Sequence, residues 1–334
     1  MEDLVEKLKM ESILTDEEFI ALLQTEDSVT RAKLFGAAQE AVTVLFKRVI
    51  QVQGVLEFTN HCPKNCLYCQ LRSENTVLPR FRLNWEQIKG ACQEGYDLGM
   101  RYLILESGED QYYTDMIMCN LLTNLKKQFP EVKLGLALEE RSKASYQRMF
   151  KAGAQGYLLR YETADPLHFS KLHPPAQALS TKIDCYNDAK AIGYTMDTGF
   201  LVGAPFETPE YLARSLTLLQ ELSPKAISLV PFIPRDNTPF RQEKRASLEE
   251  FLRLIAIVRI MFPRADITAP PEVNKINAQG QLLSVLSGAN VVRVPLEPPE
   301  EPGALKNDSR QKLFHTLEML YTYLDTREYT MVVD

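Results

Sequence analysis

No apolar run in this chain approaches the roughly eighteen residues that a membrane-spanning helix needs, so no such helix is expected. Basic residues are not in excess. The 38 Lys and Arg face 44 Asp and Glu, and a net charge of -6 speaks against nucleic acid or any general polyanion as a partner. The start, Met1-Glu2-Asp3-Leu4-Val5-Glu6-Lys7, is acidic and amphipathic where an export signal would be basic and then apolar. A cytoplasmic location is therefore expected, and with it no oxidising compartment for disulfides. Internal repeats and low-complexity tracts are missing as well. What remains is ordinary for a globular chain, with 45% hydrophobic and 25% charged residues, enough to fill a core.

Cysteine is sparse too, 6 in 334 residues, yet three fall in one stretch, Cys62-Pro63-Lys64-Asn65-Cys66-Leu67-Tyr68-Cys69. The other three, Cys92, Cys119 and Cys185, lie singly on predicted helices and read as small apolar fillers. Three thiols this close cannot satisfy one another as disulfides and read as metal ligands. Zinc would want a fourth ligand, which His61 could supply, and iron-sulfur clusters usually take four thiolates. Three thiolates alone leave one corner of a metal site open to a substrate or cofactor.

Residues 1 to about 50 read as helices, with a capping signal at Thr15-Asp16-Glu17-Glu18, and are expected to form a helical cap on the rest of the chain. From residue 51 the pattern changes to short apolar runs alternating with amphipathic helices. Strands are predicted over 52–59, 101–105, 133–138, 156–160, 195–202, 226–232, 265–269 and 289–294. Helices fit between them, starting at Asn84 and over 114–128, 142–152, 183–192, 209–222 and 247–261. Eight strand-helix repeats imply an α/β fold, a (β/α)8 barrel over 51–334, with chemistry on the loops that follow the strands. The cysteine loop follows the first strand and so sits at the barrel mouth. Glu297 to Gly303 reads as a proline-rich connector, and Asp308 to Asp325 as a final helix.

The cysteine loop, with a strand before it and Tyr68 between its last two cysteines, closely resembles that of the radical S-adenosylmethionine (SAM) enzymes. The resemblance implies that Cys62, Cys66 and Cys69 hold three irons of a 4Fe-4S cluster and that SAM chelates the fourth. It further implies that Tyr68 packs at the cofactor and that Ser107, Gly108 and Glu109 accept the methionine ammonium. Taken alone, that segment is an exposed acidic turn. Glu162 would hold the ribose hydroxyls and Arg160 an anionic substrate; a surface ion pair is the plain reading of both. Lys182 would pair with the methionine carboxylate, although relatives tend to have Arg there and a helix lysine is ordinarily solvated. Gly203 would let a strand edge meet the adenine, where a capped strand-to-helix turn explains as much. Arg235 and Asp236, in a proline-stiffened loop, are either substrate residues or exposed loop charges.

Within that superfamily the chain resembles the biotin-synthase-like branch, and most of all the HydE type of FeFe-hydrogenase maturases, with methylornithine synthases nearby. The resemblance runs through Gln70-Leu71-Arg72, Ser107 to Asp110 with Tyr112-Tyr113, Leu158 to Thr163, Pro231 to Pro239 and Ser287 to Val291. It implies reductive cleavage of SAM to a 5'-deoxyadenosyl radical, a small-molecule substrate, and an electron donor such as ferredoxin or flavodoxin. Two departures concern the substrate. Maturases of this type tend to carry two threonines where this chain has Pro270-Pro271, and a second arginine where it has Gly156. Hydroxyls and a guanidinium bind anions; prolines and glycine do not. An amino-acid mutase is the alternative among enzymes, and a non-catalytic iron-sulfur carrier the alternative outside them.

Overall fold

The computed structural model describes residues 3–297 and 317–332. Three helices come first, α1 (Leu4–Glu11), α2 (Asp16–Leu23) and α3 (Ser28–Phe46). Then strands alternate with helices: β1 (Val49–Thr59), α4 (Trp85–Asp97), β2 (Tyr102–Ser107), α5 (Asp115–Gln128), β3 (Lys133–Ala137), α6 (Lys143–Lys151) and β4 (Ala154–Leu158). The next group is α7 (Pro166–Leu172), α8 (Leu179–Ile192), β5 (Thr195–Thr198), β6 (Leu201–Val202), α9 (Pro209–Leu222), β7 (Ala226–Ile227) and β8 (Val230–Pro231). Last come α10 (Leu248–Met261), β9 (Asp266–Ala269), a 3-10 turn (Pro271–Lys275), α11 (Gly280–Leu286), β10 (Val291–Pro295) and β11 (Thr330–Val332).

The sheet closes. Parallel strands run in the order β1, β2, β3, β4, β5, β7, β9, β10, and β10 pairs back to β1. This is the expected (β/α)8 barrel, with all eight predicted strands in place. The fifth and sixth break in the middle and resume as β6 and β8, which pair with each other nearer the mouth. Between the two pieces only glycine fits at Gly199, because a Cβ there would strike the backbone of Ser228 beside it. β11 was not expected and pairs with the first residues of β1. The connector beyond Glu297 and the final helix before residue 317 lie outside the described residues; 317–325 are helical.

Polar caps start most of the helices, and the predicted Thr15 signal is a complete capping box with Glu18. Asn84, Thr114, Ser142, Asp165, Thr208 and Ser247 do the same for the helices of the barrel wall. Residues of α1 to α3 share one apolar core with the barrel. Their polar ties include Arg31 to Glu249 at 2.5 Å and the Arg253 guanidinium on the Leu23 carbonyl.

Side chains that point into the lumen follow the period of two. On β1 these are Gln53, Val55 and Glu57, and their register partners include Ile104 and Glu106 on β2. The wall is thus polar at the floor, apolar in the middle and acidic at the mouth. At the floor Arg293 is ion-paired with Asp197 and donates to Ser228 at 2.8 Å and to Gln53 at 3.2 Å. Tyr102 fills the space beside them that Gly135 and Gly156 leave.

Candidate active site

The loop after β1 is held by backbone and by one arginine. Leu67 N–H donates to the Leu172 carbonyl at 2.8 Å and Ser73 N–H to the Lys64 carbonyl at 2.9 Å. The Arg80 guanidinium donates to the carbonyls of Asn60 (2.5 Å), Arg72 (2.7 Å), Leu71 (2.9 Å) and Asn75 (3.2 Å), clipping both ends of the loop together. Beside it Arg82 holds Asp110 through two bonds of 2.7 and 2.9 Å, and Thr59 donates to the same carboxylate at 2.7 Å. Burial opposes ionisation of Asp110, but Arg82 and Thr59 hold its carboxyl below the ordinary range.

Cys62, Cys66 and Cys69 are free thiols on this loop. Burial pushes Cys66 and Cys69 up to about 12, and Cys62 upward as well. Thiolates so enclosed need positive charge beside them, which bound iron supplies. Among the described residues no three His, Cys, Asp or Glu side chains converge as ligands of a single ion. A cluster, larger than one ion, suits three thiols spread along a loop. The end of β2 presses on this loop: a Cβ at Gly108 would lie 2.6 Å from the Cys62 Cβ, so that position takes only glycine. On the outer side Gln177 approaches Cys66 Sγ at 3.6 Å.

A ladder of charge runs beside the thiols. Lys64, inside the cysteine loop, contacts Glu109 at 2.5 Å and Glu140 at 2.6 Å. Lys182 contacts Glu139 at 2.7 Å and Glu140 at 3.5 Å. Burial works against Glu140, yet Lys182 and Lys64 bring it down to about 2. Burial would likewise lower Lys182, and Glu139 and Glu140 instead hold it above its ordinary value. Lys182 is 3% exposed, which overturns its plain reading as a solvated helix lysine. Its ammonium is committed to two carboxylates.

A cavity of about 610 Å³ fills the barrel mouth. Of the expected residues, Tyr68, Cys69, Arg160, Glu162 and Arg235 line it. Glu162 is buried with its backbone in the left-handed region, φ 66°, and receives Arg160 Nε at 3.3 Å. Glu139 has the same unusual backbone, φ 58°, and both follow barrel strands at the mouth, where such strain collects at functional sites. Tyr68 donates its hydroxyl to His173 Nε2 at 3.3 Å; the other ring nitrogen faces the Phe169 carbonyl, and burial keeps the ring neutral by lowering it to about 4.

Ser107, Gly108, Glu109 and Lys182 stand on the thiol side and do not line the cavity. Gly203, φ 73°, packs under Ala246 and donates its N–H to Glu207 at 2.8 Å, also away from the lumen. Asp236 is exposed and does not line the cavity either. Pro270 and Pro271 do line it. Gly156 has its own reason, since a side chain there would collide with the Tyr102 hydroxyl. Sequence reasoning missed Arg80, Glu139, Glu140, Gln177 and the facing of Glu57 and Glu106. Only the last had a local signal, because a carboxylate within an apolar strand run marks an inward polar position.

The family model of the radical SAM superfamily matches residues 56–219. The chain is 32% identical over 290 residues to the [FeFe] hydrogenase maturase subunit HydE of Thermotoga maritima, covering 87% of this chain and 82% of that protein. It is 26% identical over 298 residues to 3-methylornithine synthase of Methanosarcina barkeri, covering 89% and 84%. The solved structure of a methylornithine synthase, PylB, superimposes with a TM-score of 0.84 at 23% identity, over 98% of this chain and 97% of that one. A barrel with three thiols at its mouth and a relative this similar along most of its length lead to one placement: the chain belongs to the radical SAM superfamily and is an enzyme of that family.

Proposed function

We propose that the chain is a HydE-like radical SAM enzyme that has diverged in its substrate and acts on a small molecule held in the barrel lumen. The observation that carries the divergence is Pro270 and Pro271 on the cavity wall. Where maturases tend to place two hydroxyls, this wall offers no donor, and the space of a second arginine is closed by Tyr102. The carrier reading would need neither a lumen nor charged groups around it.

In this reading Cys62, Cys66 and Cys69 hold the 4Fe-4S cluster, and the corner without a protein thiolate is left to SAM. Cluster and SAM together, given an electron, supply a 5'-deoxyadenosyl radical, with methionine as the other product. Ser107 and Gly108, the latter pressed against Cys62, would hold the methionine ammonium together with Glu109, which is anchored by Lys64. Lys182 acts by positioning: it fixes Glu139 and Glu140 where direct pairing with the methionine carboxylate was expected. Glu162, held by Arg160, accepts the ribose hydroxyls, and Gly203 shapes the turn that supports the adenine side. Arg160 and Arg235 face the substrate, and the closed wall keeps water from the reacting carbon. Asp236, exposed outside the lumen, has no part. A small ferredoxin or flavodoxin supplies the electron.

The test is anaerobic. Protein reconstituted with iron and sulfide is reduced with dithionite and given SAM, and 5'-deoxyadenosine is measured beside a Cys66→Ala control. Formation of the nucleoside by the parent and not by the control is expected. A full cluster that leaves SAM intact would overturn the reading.

A further inference from the structure

The three thiols differ in what donates to them. The backbone N–H groups of Lys64 and Glu109 act on Cys62, against its burial. The Leu71 N–H donates to Cys69 Sγ at 3.4 Å. Among the described residues no backbone N–H is hydrogen-bonded to the Cys66 sulfur; the group beside it is the side-chain amide of Gln177, with Oε1 and Nε2 both at 3.6 Å. Gln177 is thus the one side chain, among the described residues, that hydrogen-bonds any of these sulfurs.

Two contacts and a turn hold that amide in place. The end of α7 lies along the cysteine loop, where the Leu67 N–H meets the Leu172 carbonyl at 2.8 Å and, one residue on, the Tyr68 hydroxyl meets His173 Nε2 at 3.3 Å. Pro174 and Pro175 then stiffen the backbone, and the Gln177 N–H closes a turn on the Pro174 carbonyl at 3.0 Å. The amide stands on the outer side of the loop. Gln177 lines a second cavity, of about 750 Å³, among α7, α8 and α9, and does not line the barrel lumen. Cys69 lines the lumen and Cys66 does not, so a ligand in the lumen does not meet Gln177.

We propose that Gln177 is a positioning residue that raises the reduction potential of the cluster through Cys66, its amide N–H donating to the Cys66 sulfur. The proposal rests on the reading of Cys62, Cys66 and Cys69 as cluster ligands. A thiol can donate and accept, whereas a thiolate only accepts. The two ends of the amide are equally near the sulfur, so a turn about its last bond offers the oxygen to a free thiol and the N–H to a thiolate. Reduction adds negative charge that spreads onto the sulfurs. A donor to one of them stabilises the reduced state more than the oxidised and moves the potential upward. The step takes one electron from the external reductant and makes or breaks no bond. Cys62 and Cys69 have backbone donors, which no substitution removes, so the Gln177 amide is the sulfur donor that side-chain chemistry sets.

The experiment is a redox titration of the reconstituted full-length protein without SAM, followed by electron paramagnetic resonance, with iron and sulfide content measured on each sample. It compares the parent with Gln177→Leu, which loses both ends of the amide, and Gln177→Glu, which keeps the size and loses the N–H. Ser180→Ala, in the same outer cavity but off the sulfur, is the control. At a fixed potential the ratio of reduced to oxidised cluster should fall at least about threefold in Gln177→Leu, which for one electron is about 28 mV. Gln177→Glu should fall further, since its charge also opposes reduction, and Ser180→Ala should match the parent. Parent-like potentials in both Gln177 variants, or a shift in Ser180→Ala as large as in Gln177→Leu, would overturn the proposal. If one Gln177 variant fails to load, the other decides alone; loss of the cluster in both would make Gln177 a residue of assembly and also overturn it. SAM cleavage, assayed separately, decides the underlying reading. A lowered potential without cleavage sinks the radical SAM reading alone, cleavage with unshifted potentials sinks the proposal alone, and a parent that takes up no cluster sinks both.

Discussion

The floor and the mouth of this barrel are made of the same kinds of residue arranged to opposite ends. At the floor Arg293 meets Asp197, Ser228 and Gln53, so buried charge is answered by charge within hydrogen-bond reach. At the mouth two carboxylates stand side by side without partners among the described residues, three free thiols lie half-buried, and two glutamates sit in left-handed backbone. The floor pairs its own charges, although one Asp197 oxygen is left without a donor among the described residues. The mouth is completed by what binds to it, and the contrast locates function without reference to any motif.

Removing a thiol should have the largest effect. Cys66→Ala is expected to cut 5'-deoxyadenosine formation by more than about a hundredfold, since loss of a ligand exceeds the effect of losing its support. The apo-protein's melting temperature should hardly move, which calorimetry checks. At the floor the ranking reverses: Arg293→Met leaves Asp197 buried and unpaired and should cost about 3–5 kcal/mol in urea unfolding. A floor variant that keeps full stability would break the distinction.

Gly156→Ala comes next, at about 1–3 kcal/mol, because the new methyl collides with the Tyr102 hydroxyl. Adding Tyr102→Phe to the same chain should recover much of the loss in the same urea measurement. Glu57→Gln should act the other way. A carboxyl raised to about 7 keeps its proton in the folded state after the unfolded chain has lost it, so stability falls as pH rises from about 4.5 to about 7. Glu57 is itself exposed to the water of the cavity, which screens the effect, so the variant should melt only slightly higher than the parent above about pH 7 and equally at about pH 4. Smallest is Arg31→Ala, which removes an exposed ion pair to Glu249 and should stay within about 1 kcal/mol in urea unfolding.

The barrel was legible because its evidence is periodic and local: eight apolar runs, polar caps before the helices, and turn residues between them. Cys62, Cys66 and Cys69 were legible for the same reason, lying close together in one loop. What could not be read joins distant segments. Lys182 looks like any helix lysine until α8 sets it against Glu139 and Glu140, some forty residues earlier in the chain. Arg80 has no motif, since its partners are backbone carbonyls. Asp236 was named for its place in a loop after a strand, and loop direction, which sequence does not encode simply, turned it outward. Pro270 and Pro271 were placed after the seventh strand correctly, but only closure of the ring put them on the cavity wall.

The claim that the mouth leaves one corner of a thiolate-held cluster to SAM is tested most directly by electron paramagnetic resonance of the reconstituted, reduced protein with and without SAM. A reduced-cluster spectrum that changes on addition of SAM is the predicted result. A fully loaded cluster whose spectrum SAM leaves untouched would contradict it.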